Sequence, residues 1–197
     1  MPDLVVFWAV VTDSIPKSRL RQAEYQKSDV TRGLQVPSDD RFLKAARYIE
    51  EALATEEAAL VREACVGFLR EAAEYYGVSV PQVRVLRARP IRARDSGGGT
   101  ELFGDYHFEQ KLIRVWMRTA IQKRVTSFGT FFATLCHEFC HHLDRDRFGF
   151  SETPHTRGFF ERTAALYHHA RATPAKRLVW APSGRGRWRI DWARTKL

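Results

Sequence analysis

Residues 128–146 read FGTFFATLCHEFCHHLDRD, and this stretch decides how the rest of the chain is understood. Apolar side chains recur at Phe128, Phe132, Leu135, Phe139 and Leu143, the spacing of one helix face. Within it stands His137-Glu138-Phe139-Cys140-His141, an H-E-x-x-H pattern. At about 100° per residue, the two histidines lie about 40° apart and one turn above the other, so both imidazoles reach a single metal ion. Glu138 lies about 60° from His141 on the same side, where it meets a water without having to be a ligand. The apolar arc occupies the opposite flank. The helix therefore packs its back into a core and turns its metal side to a cleft.

Catalytic zinc takes three protein ligands and keeps one position open for water. His155, beyond Phe148-Gly149-Phe150 and at the start of the next helical stretch, is the leading third ligand. Glu161 is the alternative. His142, His168 and His169 are weaker candidates, and His107 falls in strand-like sequence where it could line the cleft; for these four the plain reading is a solvated or hydrogen-bonded histidine. Cys136 and Cys140 sit nearer the apolar arc and read as small buried hydrophobes. Asp144 is a candidate to support a ligand imidazole, and Tyr106, His107 and Tyr167 are candidates to stabilise an oxyanion.

Working outward, Thr153 reads as an N-cap with Pro154 opening a helix to about Ala172. Upstream, two strand-like runs at 101–108 and 111–118 flank Glu109-Gln110, a hairpin. The strand at Leu112–Met117 is the expected sheet edge for an extended peptide. Ser96-Gly97-Gly98-Gly99 is a loop, and Val83, Val85 and Leu86 mark a strand that Pro90 ends. Ser38, followed by Asp39 and Asp40, reads as the N-cap of a helix carrying Phe42, Ala46, Ile49 and Leu53. A break near Thr55 precedes a second helix through Leu60, Ala64, Phe68, Ala72 and Tyr75, ending at Gly77. Residues 4–11 read as a buried strand, and residues 12–36 show no period and read as a long connection or arm. The expected divisions are 1–37, an N-terminal strand and arm; 38–172, the catalytic domain; and 173–197, a basic tail.

The run Thr134-Leu135-Cys136-His137-Glu138-Phe139-Cys140-His141-His142-Leu143, followed by His155-Thr156-Arg157-Gly158-Phe159, resembles the SprT-like family of zinc metallopeptidases. The WLM proteases and YgjP-like proteins, related zincin groups, share H-E-x-x-H and a later His-x-x-x-Phe. The stretch from Gly104 to Met117 resembles the strand pair these proteins place before their active-site helix. The likeness covers about residues 101–170. It does not extend to a Cys-rich zinc ribbon, because no cysteine follows Cys140. The resemblance implies an α+β zincin-like domain, with a small sheet packed on the active-site helix. It implies His137, His141 and His155 as ligands of one zinc ion, Glu138 as catalytic acid/base, and a protein or peptide substrate.

Composition sets the outer limits. The chain has 197 residues, 44% hydrophobic, enough for one ordinary domain with a core. The longest early apolar stretch, Leu4 to Val11, is far short of the roughly 20 residues of a membrane helix, so neither a signal peptide nor a membrane anchor is expected. Three cysteines do not make a disulfide framework, which points to a reducing, cytoplasmic setting. Net charge is +9. From Pro174 onward, Lys176, Arg177, Arg185, Arg187, Arg189, Arg194 and Lys196 face only Asp191 and are interleaved with Trp180, Trp188 and Trp192. That mixture suits phosphate contact and base stacking; equally, Trp188, Ile190 and Trp192 alternate as a docked strand requires. The leading expectation is a zinc metallopeptidase acting on proteins, including those on DNA. The alternative is a nucleic-acid-binding module with a structural zinc closed by a fourth ligand.

Overall fold

The computed structural model describes residues 11–93 and 99–195. In chain order its elements are α1 (Arg19–Val30), α2 (Arg41–Ala54), α3 (Ala58–Tyr76), β1 (Gln82–Ala88), β2 (Ile91–Ala93), β3 (Gly99–Glu101), β4 (Gly104–His107), β5 (Leu112–Arg118), α4 (Phe128–Asp146), α5 (Arg157–Ala170), β6 (Trp180–Pro182) and β7 (Trp188–Ile190). The protein is a mixed α+β structure with small sheets. The expected strand at 4–10, Ser96 to Gly98, and Lys196 lie outside the described residues; Val11 makes a lone bridge to Arg189.

The main sheet runs in the order β1-β5-β4. β1 is parallel to β5, with Val83 opposite Ile113 and Val85 opposite Val115. β4 is antiparallel to β5, with Gly104 opposite Val115 and His107 opposite Leu112. This corrects the expectation that Leu112–Met117 is the sheet edge. Leu112, Ile113, Val115, Trp116 and Met117 are all buried, a run covered on both faces as a central strand must be. The edges are β1 and β4. The hairpin between β4 and β5 exists, but its turn takes residues 108–111, and Lys111 has φ 46°.

α3 packs on β1, and α4 packs on β4 and β5. The core gathers Phe42, Ala46, Ile49 and Leu53 from α2 with Val61, Ala64, Phe68 and Ala72 from α3. Phe132, Leu135, Phe139 and Leu143 of α4 complete it, and Phe68 and Phe132 meet edge to face at 5.0 Å. α2 stops at Thr55 and α3 stops at Gly77, whose left-handed φ of 65° closes the helix. Two helix starts differ from the sequence reading. α2 begins at Arg41, because the Asp39 carboxylate accepts from the Arg41 N–H and grips its guanidinium, leaving Ser38 outside. α5 begins at Arg157, capped by Thr156, whose Oγ1 accepts from the Phe159 N–H at 3.1 Å.

Residues 12–36 are not merely a connection. They contain α1, which packs on α5. α1 has no apolar stripe; its buried residues are Tyr25, Ser28 and Asp29. It is held by polar contacts instead. Ser28 Oγ lies 2.9 Å from Thr156 Oγ1, and Asp29 accepts from the Arg157 backbone N–H at 3.0 Å and from its guanidinium. Gly158 lets the helices approach, since a Cβ there would lie 2.1 Å from the Ser28 carbonyl oxygen. At the other end of the chain, β6 and β7 form an antiparallel hairpin against α5. Ile190 is buried and Trp180 and Trp188 are half-buried, while Trp192 is exposed. Among the described residues, no helix is long and apolar enough to cross a membrane.

Candidate metal centre

α4 spans Phe128–Asp146, with the Ser127 hydroxyl accepting from the Thr130 N–H at its start. Its apolar face is buried as the period requires. The other face brings His137 and His141 one turn apart, Nε2 to Nε2 at 3.2 Å. His155 Nε2 stands 3.1 Å from His137 Nε2. The three donor nitrogens all lie within 4.8 Å of one another. Nitrogens bound about 2.0–2.1 Å from a tetrahedral ion stand about 3.3 Å apart, so the cluster fits one metal ion. His141 is buried, and His137 and His155 are half-buried.

Burial, with the neighbouring imidazole of His155, pushes the His137 pKa down to about 3. Burial and both neighbouring rings push His141 well below the usual histidine value. Both rings are therefore neutral near pH 7, the form that binds a metal. The Phe159 ring packs against all three imidazoles, with centroids at 4.9 Å from His137, 4.5 Å from His141 and 5.0 Å from His155.

The outer partners are Thr153 and Asp13. His141 Nδ1 lies 2.9 Å from Thr153 Oγ1. Thr153 is thus not the helix cap. It sits at φ 39°, an unusual conformation for a β-branched residue. His155 lies in the loop before α5, not on the helix. The Asp13 N–H donates to the His155 carbonyl at 2.9 Å, and the His155 N–H donates to Asp13 Oδ2 at 2.8 Å. Burial opposes ionisation of Asp13, but the hydrogen bonds and charge of His155 outweigh it and hold the carboxyl below its usual range.

Glu138 is buried, and burial followed by the charge of Asp105 raises its carboxyl to about 8. It lies against β4: a Cβ on Gly104 would meet Glu138 Oε1 at 2.9 Å and Thr134 Cγ2 at 2.5 Å. The outer strand β4 and the candidate acid/base are thus in direct contact.

Other candidates fall elsewhere. Glu161 accepts from Trp180 Nε1 at 2.9 Å and pairs with Arg32, so it is not at the cluster. His142 is held between the Tyr106 hydroxyl and the Ser79 carbonyl, at 2.8 and 2.7 Å. That contact engages the Tyr106 hydroxyl with His142. Tyr167 is held by Arg171 beside Gly129, nearer the start of α4. His107 is on β4, 3.4 Å from Asp105. His168 bonds Thr173, and His169 packs edge-on to Phe42. Asp144 supports no ligand ring; it is fully buried in a bidentate pair with Arg162, at 2.8 and 2.7 Å. Cys136 and Cys140 are buried and free, and burial raises both thiols.

Thr153 and Asp13 escaped sequence reasoning. Nothing in the local sequence marks Asp13, whose partner is 142 residues away. Gly104 carried a readable signal, since glycine inside a strand marks close backbone approach. Comparison of the chain with protein-family models, curated proteins and solved structures found no match in any of the three.

Proposed function

We propose that the protein is a zinc-dependent peptidase of the zincin type, SprT-like in its motif, with His137, His141 and His155 as ligands and Glu138 as acid/base. The observation that carries this reading is the convergence of three imidazole Nε2 atoms beside a glutamate on the same helix. Zinc held there supplies Lewis acidity, bringing the pKa of water to about 7 and polarising the scissile carbonyl. Burial keeps the Glu138 carboxyl protonated near pH 7 in the metal-free chain; the positive charge of a bound ion would favour its ionised form, which takes the proton of the attacking water and delivers it to the leaving amine nitrogen. The open edge of β4 offers backbone groups to an extended peptide, laying it along the strand that Glu138 touches.

A structural zinc would have a fourth protein ligand. Among the described residues, the cluster has three members: Glu161 is engaged by Trp180, and neither Cys136 nor Cys140 joins it. This supports an open site over a closed one. The test is zinc content together with cleavage of casein. About one zinc per chain is expected, lost in His141→Ala, with cleavage abolished in Glu138→Gln while zinc is retained. Undiminished cleavage by the Gln variant contradicts the assignment.

One observation favours a nucleic-acid partner for the same enzyme. A groove of about 780 Å³ between α5 and the β6–β7 hairpin is lined by Arg157, Lys176, Arg177, Arg194, Trp180 and Trp188. Arginines beside indole rings suit phosphates and stacked bases. Binding of a labelled oligonucleotide should then weaken steeply with salt and on replacing Arg177 and Arg194 by Glu; salt-insensitive binding would remove the partner.

A further inference from the structure

Two of the three candidate ligands are fixed by α4 itself, and one of these, His141, is also held by Thr153. The third, His155, stands in a loop with its side chain about one-third exposed. What holds it comes from the far end of the chain. Asp13 and His155 exchange two hydrogen bonds, N–H to carbonyl and N–H to carboxylate. The same Asp13 Oδ2 lies 3.5 Å from His155 Nδ1.

Asp13 is itself anchored. Its carbonyl accepts from the Tyr25 hydroxyl of α1 at 3.0 Å, and Tyr25 is buried. Next to it, the Thr12 N–H donates to the Trp188 carbonyl at 2.8 Å, and the Trp188 N–H donates to Thr12 Oγ1 at 2.9 Å. Residues 12 and 13 therefore run as a strap from the terminal hairpin to the ligand loop.

We propose that Asp13 is a positioning residue for the metal centre. Its carboxylate favours the proton on His155 Nδ1, which leaves the Nε2 lone pair facing His137 and His141. A carboxylate on the far nitrogen also raises the basicity of a ligand imidazole. Asp13 is no ligand itself, because it faces Nδ1 while the cluster is built from the opposite nitrogen. This inference rests on the metal site of the proposed function and adds the residue that orients its least constrained member.

The test is zinc affinity of the full chain, measured by competition with a chromophoric chelator. The visible spectrum of the cobalt-loaded protein is the second readout. Asp13→Ala should weaken zinc binding about 10- to 100-fold and alter the cobalt bands. Asp13→Asn keeps an acceptor for the His155 N–H without the charge, and should fall between Ala and the unsubstituted chain. Thr12→Val removes the hydrogen bond that Thr12 Oγ1 accepts from Trp188 but keeps the backbone one and leaves Asp13 in place, and should keep both affinity and spectrum. Equal affinity, within twofold, and an unchanged spectrum in Asp13→Asn and Asp13→Ala would overturn the inference while leaving the three-histidine site standing. A failure of the unsubstituted chain to bind zinc would overturn the proposed function and this inference with it.

Discussion

Gly104 and Glu138 are in such close approach that a methyl group on the glycine would stand 2.9 Å from Glu138 Oε1. The outer strand β4 and the helix α4 can meet at this point only because one of them has no side chain there. Gly104→Ala must push β4 off α4 or drive the Glu138 side chain from its position. The expected cost is about 1–3 kcal/mol of stability, as for other overpacked contacts. Peptide cleavage should fall further than stability alone explains, because the strand and the proposed acid/base move together. Urea unfolding and a cleavage assay on the same variant check both. Full activity in Gly104→Ala would separate β4 from the proposed active site.

Thr153 places its hydroxyl 2.9 Å from His141 Nδ1 while holding a backbone φ of 39°. A β-branched residue in that region is strained by about 1–3 kcal/mol, and its hydrogen bond to a candidate ligand is what the strain accompanies. Thr153→Val keeps the shape and removes the hydroxyl. Zinc affinity should drop about 10-fold or more, with little change in the thermal stability of the metal-free protein. Chelator competition and calorimetry separate the two effects.

Arg162 and Asp144 form an ion pair with side chains 1% and 0% exposed. Arg162 also donates to the Ser28 and Thr31 carbonyl oxygens, so one guanidinium joins α4, α5 and the end of α1. Arg162→Ala leaves a buried carboxylate without its partner and should cost about 3–5 kcal/mol. The double change Asp144→Leu with Arg162→Met should cost less than the single one, because it removes both charges together. Denaturant unfolding of the two variants gives the comparison.

The metal-free protein should be most stable near pH 6.5. His137 and His141 have folded pKa values below their ordinary 6.5. Their contribution is present above pH 6.5 and lost as pH falls, because the unfolded chain then binds protons that the folded chain refuses. Glu138 behaves oppositely. Its folded value of about 8 exceeds the ordinary 4.5, so its contribution is present below pH 4.5 and lost as pH rises through 8. Between pH 4.5 and 6.5 His137 and His141, joined by His142, His168 and His169, which burial also lowers, outweigh Glu138 and Asp144, which burial raises to about 8 and about 6, and stability rises with pH. From 6.5 to 8 the glutamate acts alone, and stability falls by up to about 1.4 kcal/mol per pH unit. Melting of the chelated protein across this range should show the maximum, and Glu138→Gln should flatten its alkaline side.

The sequence made α4 legible because burial there follows a 3.6-residue period and the metal-facing residues lie off that stripe. α3 was legible for the same reason, with Gly77 marking its end. α1 was not, because Ser28 and Asp29 hold it through hydrogen bonds to Thr156 and Arg157, contacts that leave no apolar pattern along the chain. The near-continuous apolar stretch Leu112 to Met117 did carry the mark of a central strand, and the edge assignment passed over it. Thr153 and Pro154 looked like a helix start. The chain there is held instead by His141 and Asp13, tertiary partners that local pattern cannot reveal. His155 was reachable from spacing and the need for a third ligand; the carboxylate behind it was not.

The central claim is that three imidazoles hold one divalent ion and leave a coordination position to solvent. X-ray absorption at the zinc edge of the zinc-loaded full chain tests it most directly. The account predicts three imidazole nitrogens at about 2.0–2.1 Å and one non-imidazole oxygen from solvent. A sulfur neighbour at about 2.3 Å, or a fourth protein ligand in place of solvent, would contradict it.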